Sequence, residues 1–346
     1  MYTPNFNDPR IQKRTKTAIG FAVSCFSDKP REWSTRSLDR WIGYTHKPLG
    51  RYLREKLLIT VNDEYLWGTC GVKCKQYRLN RSGVSDLINA CDEFSIHIPT
   101  NLHIVPTMSL AQTWVKSAFP EIHTGVFEYK DRADRLWHPL QNVRSEIRKP
   151  LLAEQGYRYE YDIECAAPTL IFQQARESGL TQRSKVDLIE EFLEDPQSQR
   201  QQLAQRIGTT QETAKKIINA RFAGATLRQG RSIDQFLDYN TQALEALKHD
   251  PWFCEFSKQI KKCWDKIKLH EGMTRLSPRD KWRIYFQQER CVMGVVRREL
   301  DKQRCRYFLE HDGWRCDSWI DPRELELKIL KRFNKRLKFT YKIWDV

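Results

Sequence analysis

The chain is 346 residues long, and its 59 Lys and Arg against 44 Asp and Glu leave a formal charge of +15. With 40% apolar and 30% charged residues it has the composition of a globular protein with room for about two domains, which excludes a disordered basic tail. No run approaches the roughly 18 uninterrupted apolar residues of a membrane span, and Met1 to Arg14 lacks the apolar stretch of a secretory signal, so a cytoplasmic protein with no membrane partner is expected.

In chain order, Ser37 to Lys56 has helix-like spacing, with Leu38, Trp41 and Ile42 among Arg and Lys. Leu57 to Val61 and Ile96 to Val105 read as strands. Trp137 to Lys149 reads as polar and extended. Gly156 to Ile163 then alternates as a strand ending near Asp162, and Pro168 suits the start of the next helix. The pattern stays helical to Arg228: one piece to about Glu177, others over 185–193 and 199–207, and a fourth capped by Thr209 or Thr210. That fourth helix carries Lys215, Lys216, Ile217, Ile218 and Arg221 before Gly224. Further helices are predicted over 231–248, 252–268 and 279–302. Two strand-like runs, Arg304 to Glu310 and Trp314 to Ile320, flank His311-Asp312-Gly313, and Asp-Gly between such runs is a strong hairpin signal. Pro322 opens a helix to about Leu337, and Lys338 to Trp344 closes as a strand. The expected class is α+β, a small antiparallel sheet with a large helical insertion.

The ten cysteines follow no double C-x-x-C frame and read as free thiols of a reducing compartment. Cys70 and Cys74 with Cys91 or His97 form a conceivable metal set, against the simpler reading of small buried side chains. Lys and Arg are spread along the whole chain, interleaved with 11 Trp, 13 Tyr and 16 Phe. Phosphate-neutralising cations beside stacking rings suit a nucleic-acid groove, the alternative being a solvated basic face.

Asp162 at a strand end and Asp312 at a hairpin tip converge if their strands are neighbours. Two hard oxygen ligands on rigid strands can hold Mg²⁺ ions, whereas Asp312-Gly313 alone reads as an ordinary turn. The flanking residues decide between these. Leu140-Gln-Asn-Val-Arg144, Glu146-Ile-Arg-Lys149, Gly156-Tyr157 and then Asp162 resemble, in order and spacing, the run into the first palm motif of family-A DNA polymerases. The helix Ala214 to Gly224 resembles the second motif, whose Lys contacts the incoming triphosphate, and His311-Asp312 resembles the third. The resemblance covers residues 140 to 346 and extends to phage-type single-subunit RNA polymerases.

That resemblance implies a right-hand polymerase: an N-terminal thumb-like or clamping region (1–135), palm (136–180), helical fingers (181–275) and the second part of the palm (276–346). It implies a template-directed nucleotidyltransferase acting on nucleoside triphosphates, with a DNA template and a primer or nascent RNA. Asp162 and Asp312 would hold two Mg²⁺, or Mn²⁺, with the Ile163 carbonyl as an extra ligand, and Lys215 would neutralise the triphosphate with Lys216 as its alternate. Ala167, Asn219, Arg221, Phe222 and Arg148 would surround the nucleotide, and Gln141, Asn142, Gln288, His311 and Arg228 would touch nucleic acid. A bacterial or phage-infected cell is the implied setting.

The departures are specific. Where DNA-making members carry a Glu that packs on the sugar, this chain has Ala167, and Cys165 matches the RNA-making branch. The expected Tyr falls at Ala223 beside Phe222, and the expected Arg at Gln211. DNA polymerase, RNA polymerase and primase therefore stay open, and no upstream D-x-E set suggests proofreading. Lys29, Arg31, Trp33, Arg36, Arg40, Trp41, Arg51, Arg54 and Lys56 suit a duplex clamp or a solvated face. Two rivals remain: Gln201 to Ile217 also fits a helix-turn-helix DNA binder, and the lost Arg and Tyr suit a non-catalytic scaffold.

Overall fold

The computed structural model describes residues 2, 4–28, 30–33, 38, 42, 47–67, 73–91, 104–132, 135–181 and 185–344. Asp8 caps α1 (Pro9–Cys25) by accepting from the Arg10 amide, and Pro9 takes the first helical position, where its missing N–H costs nothing. Strands β1 (Arg31–Trp33), β2 (Leu58–Trp67) and β3 (Lys73–Leu79) form an antiparallel sheet in the order β1-β3-β2. Helices α2 (Lys47–Leu57), α3 (Arg81–Asn89) and α4 (Ile104–Ala118) share one apolar core with α1. The strand expected at Ile96 to Val105 is overturned at its end, because Ile104 opens α4; residues 96–103 lie outside the described residues. So do Lys29, Arg36, Arg40, Trp41, Cys70 and His97. Cys25, Cys263, Cys305 and Cys316 are buried free thiols.

Beyond α5 (Glu121–Thr124) and the hairpin of β4 (Lys130–Arg132) and β5 (Arg135–Trp137), the stretch read as extended is helical. His138 caps a 3₁₀ turn over Pro139–Asn142, and α6 (Ser145–Glu154) follows. Ile147, Leu151 and Leu152 recur at helical spacing and are buried; Arg148, whose charge hid the pattern, is buried with them. Leu140 to Leu152 pack with Tyr157 and Phe308 into the N-terminal core, so that core reaches well past residue 135.

The central sheet has the order β7-β8-β6-β9, all antiparallel: β6 (Tyr159–Ile163), β7 (Tyr307–Glu310), β8 (Gly313–Cys316) and β9 (Phe339–Ile343). Strand alternation puts Tyr161 and its partner Trp314 on one face, rings stacked 4.7 Å apart, with the Tyr161 hydroxyl donating to the Ile320 carbonyl at 3.0 Å. The other face carries Glu160 opposite Arg315. Glu160 accepts from Lys149, Arg315 and, at 2.7 Å, the Trp344 indole; Arg315, fully buried, lies 4.5 Å from the Trp344 ring centre. Burial alone would raise the Glu160 pKa, but the Lys149 hydrogen bond and the Arg315 and Lys149 charges outweigh it and hold it low.

Between β6 and β7 lies the helical insertion. It comprises α7 (Ala166–Glu177), α8 (Asp187–Glu194), α9 (Pro196–Ile207), α10 (Gln211–Phe222), α11 (Ser232–Phe236), α12 (Thr241–His249), α13 (Pro251–His270) and α14 (Pro278–Lys302). The single helix expected over 231–248 is broken in two. Asp238 and Tyr239 take positive φ, and Asn240 then caps α12 through the Ala243 amide. Most of the insertion shares a second core, and α14 and α15 (Pro322–Phe333) cover the sheet in a third. The fold is thus α+β, as expected. Among the described residues no helix is long and apolar enough to cross a membrane.

Removing one member of a buried ion pair strands the other. Glu160→Gln should therefore lower stability by about 3 kcal/mol, read by urea denaturation, and a change under 1 kcal/mol would deny the Glu160–Arg315 pair that role.

Candidate active site

Gly313 pairs with Asp162 in the β6–β8 register, and the Ile163 amide donates to the Asp312 carbonyl at 3.0 Å. The sheet therefore delivers both aspartates to the same end. A Cβ on residue 313 would lie 2.2 Å from Asp162 Oδ1 and 2.4 Å from the Tyr161 carbonyl oxygen, so only glycine fits there. His311 and Asp312 form the two-residue loop of the β7–β8 hairpin, and His311 takes φ +60°, a conformation usually supplied by glycine.

Solvent reaches both carboxylates, yet protein surrounds them on most sides. Desolvation, followed by the charge of Asp312, raises the Asp162 pKa to about 7; desolvation also raises that of Asp312. Two acids held close with too little positive charge around them fit a divalent cation. The carboxylate pair would supply the protein's share of such a site. That suits Mg²⁺, which binds through one or two carboxylates and takes other ligands from phosphate and water.

Lys215 is exposed on α10, and its charge acts on both Asp312 and Cys165. Asn219, one turn further on the same face, holds a buried Oδ1 with no hydrogen-bond partner. Lys216 instead pairs with Glu212 on its own helix at 3.5 Å. Ile163 is buried, and Ala167 is half-buried where the second and third cores meet.

Several expected ligands serve the fold instead. Phe222 is fully buried against Phe256, and its carbonyl accepts from the Trp264 indole at 2.8 Å, so its ring cannot meet a nucleotide. Arg221 is spent on Ser257 Oγ at 3.0 Å and the Ala225 carbonyl at 2.8 Å. Arg148 donates to the Val143 carbonyl at 2.8 Å and to Glu310 at 3.1 Å, tying α6 to the hairpin. Gln141 donates to the Leu309 carbonyl at 2.8 Å, and the Asn142 carbonyl accepts from Arg31 at 3.0 Å. These residues brace the hairpin from behind. Arg228 is exposed in the loop after α10, and Gln288 is half-buried on α14.

His311 has a buried Nδ1 without a partner and lines a small cavity with Arg135 and Glu289. Desolvation, then the Arg135 and Arg148 charges, lowers its pKa to about 3, so the ring is neutral near pH 7. Sequence reading missed Arg135, whose guanidinium grips buried Glu289 at 2.6 and 2.5 Å and lies 4.5 Å from the Phe286 ring centre. Phe286 in turn faces Trp282 at 5.3 Å. Arg279, exposed Trp282, Arg283 and Phe286 follow one stripe of α14 at helical spacing. Only that spacing signalled them; nothing local announced the Arg135–Glu289 pair, 154 residues apart.

Compared with known proteins, the chain matches no protein-family model, and no curated protein matches it.

The pH dependence of stability follows from Asp162. Its pKa is higher folded than unfolded, so the folded state loses stability as pH rises from about 4 to about 7. In metal-free buffer Asp162→Asn should melt a few degrees above wild type at pH 8, with the gap closing towards pH 4. Mg²⁺ should raise the melting temperature of wild type more than that of the variant. Coincident melting curves at pH 8 would count against a strained carboxylate pair.

Proposed function

We propose that the chain is a template-directed nucleotidyltransferase with a right-hand polymerase arrangement: palm sheet, helical fingers and an N-terminal nucleic-acid grip. One observation carries the reading. The β6–β8 pairing brings Asp162 and Asp312 to one end of the sheet, desolvation raises the pKa of both, and the Lys215 charge acts on Asp312 from the fingers helix.

Asp162 and Asp312 would hold Mg²⁺, which supplies activation of a 3′-hydroxyl and stabilisation of the pyrophosphate leaving group. The hydroxyl oxygen bonds to the α-phosphorus as the bond to pyrophosphate breaks. Lys215 offsets the triphosphate charge, so catalysis here is positioning and electrostatics. Neutral His311 fixes the hairpin tip rather than moving a proton. The Arg279–Trp282–Arg283–Phe286 stripe, with the +15 charge, supports a nucleic-acid partner: arginines suit phosphates, and an exposed indole suits a base face. The side chain at Ala167 is small, so the reading includes loose discrimination between deoxy- and ribonucleotides, which keeps DNA polymerase ahead of RNA polymerase or primase only by the palm's upstream segment.

The helix-turn-helix alternative is disfavoured. α9 and α10 do meet through Gly208 at φ +68°, but a helix-turn-helix gives no role to the meeting of Asp162 and Asp312 or to the Lys215 charge acting on Asp312.

In a primer-extension assay with Mg²⁺, Asp162→Ala or Asp312→Ala should reduce product by ~10²–10³-fold while oligonucleotide binding and folding persist. Extension at the wild-type rate by either variant sinks the proposal. Ala167→Glu should move incorporation towards deoxynucleotides, and an unchanged ratio of ribo- to deoxynucleotide use rejects the sugar argument.

A further inference from the structure

Arg200, on α9, is 6% exposed. Its Nη2 donates to Cys165 Sγ at 2.9 Å, its buried Nε has no hydrogen-bond partner, and among the described residues no carboxylate pairs with it. A cation held away from water without a counter-charge costs several kcal/mol. Little here offsets that: a thiol is a weak acceptor, and the Phe192 ring centre is 5.6 Å away. Other buried cations of this chain are matched. Arg315 has Glu160, and Lys335 has Glu177 at 3.0 Å.

The surroundings point to an anion. Cys165 follows Asp162 by three residues and lines a cleft of about 660 Å³ whose walls include Arg176, Arg336 and Lys338 together with Glu164 and with Glu177, which Lys335 holds. Arg176 is occupied by Glu190, whereas Arg336 and Lys338 are exposed at the rim. Lys215 acts on Cys165 from α10. Cys165 itself takes φ +50° at the head of α7, where it both accepts from Arg200 and lines the cleft. One thiol thus touches the guanidinium and a cleft rimmed by two exposed cations.

We infer that Arg200 is a buried polyphosphate ligand, resting on the Cys165 thiol, and that with Lys215 it receives the terminal phosphates of the nucleotide. The inference rests on the nucleotidyltransferase reading for the identity of the ligand. The chemistry it needs is only that of a polyphosphate anion, and its position differs from the Gln211 site where the resembled family places an Arg.

The test uses the full chain and inorganic tripolyphosphate, without added divalent ions, so that the readout does not depend on turnover. Tripolyphosphate should raise the melting temperature of wild type. Arg200→Met should melt no lower than wild type when unliganded, since an unmatched cation is gone, and should bind tripolyphosphate about tenfold or more weakly. A wild type that does not respond, or an Arg200→Met protein that responds equally, overturns the inference. So does a large drop in the unliganded melting temperature with binding retained, which marks a structural role. Should Arg200→Met fail to fold, Arg200→Lys decides: it keeps the charge and loses the fork, so several-fold weaker binding is expected and unchanged binding overturns the assignment. Primer extension separates this from the catalytic reading. Extension that survives Asp162→Ala while tripolyphosphate binding still needs Arg200 refutes catalysis alone; Asp-dependent extension with Arg200-independent binding refutes the anion site alone.

Discussion

The pairing that brings Asp162 and Asp312 to the same end of the central sheet is the constraint around which the candidate site is arranged. The β6–β8 register sets Gly313 against Asp162, and the missing Cβ at 313 lets the two backbones close until the hairpin tip brings Asp312 alongside. The pairing fixes the two backbones; desolvation raises the pKa of both carboxylates, and the charge of Asp312 raises that of Asp162 further. On the proposed reading, a bound cation would relieve that cost. Binding sites are where such local cost is tolerated, because the rest of the fold over-determines it.

The over-determination is visible beneath the sheet. Arg148 joins α6 to Glu310, Arg315 joins Glu310 to Glu160 at 3.8 Å and closer, and Glu160 gathers Lys149 and the Trp344 indole. One chain of charge-assisted contacts therefore runs from α6 through Glu310 on β7, Arg315 on β8 and Glu160 on β6 to Trp344 after β9. It also explains why the aspartates stay under-compensated. Arg135 and Arg148 lie within electrostatic reach of the hairpin tip, but each is committed to its own acid, Glu289 or Glu310. Lys149, which acts on Asp162, is likewise held by Glu160, leaving exposed Lys215 as a cation that acts on Asp312 from α10.

What was legible in the sequence was what depends on local rules. Strand alternation before Asp162, the Asp-Gly hairpin signal and the caps of the insertion helices each follow from a few neighbouring residues, and the elements they marked are present. The convergence of Asp162 and Asp312 was legible only as a condition, because strand order is a long-range property. What was lost was of two kinds. Polar residues with buried roles disguised local structure: Arg148 made α6 look extended, although Ile147, Leu151 and Leu152 had the helical period. Conversely, residues singled out for their chemistry proved to be bracing groups, since whether an Arg or Gln faces a ligand or a main-chain carbonyl is decided by packing. Gln141, Arg148 and Arg221 all satisfy carbonyls of their own chain.

The fate of Phe222 shows how a helix can keep one functional face while losing another. α10 is locked into the insertion core by Ala214, Ile217, Ile218 and Phe222, and by the indole of Trp264 on the Phe222 carbonyl. A 3.6-residue period then leaves Gln211, Lys215 and Asn219 as the stripe turned away from that core. The aromatic that might have served a base lies on the buried side, where it packs with Phe256. On the proposed reading, the fingers helix therefore contributes charge and an amide to the nucleotide but no ring, and base discrimination rests on pairing with the template. The aromatic surface has moved to α14, where Trp282 is exposed beside Phe286 and the Arg135 guanidinium continues the stack towards His311. On that reading, electrostatic recognition of the triphosphate falls to α10 and aromatic recognition of the strand to α14, each helix constrained by the core it helps to build.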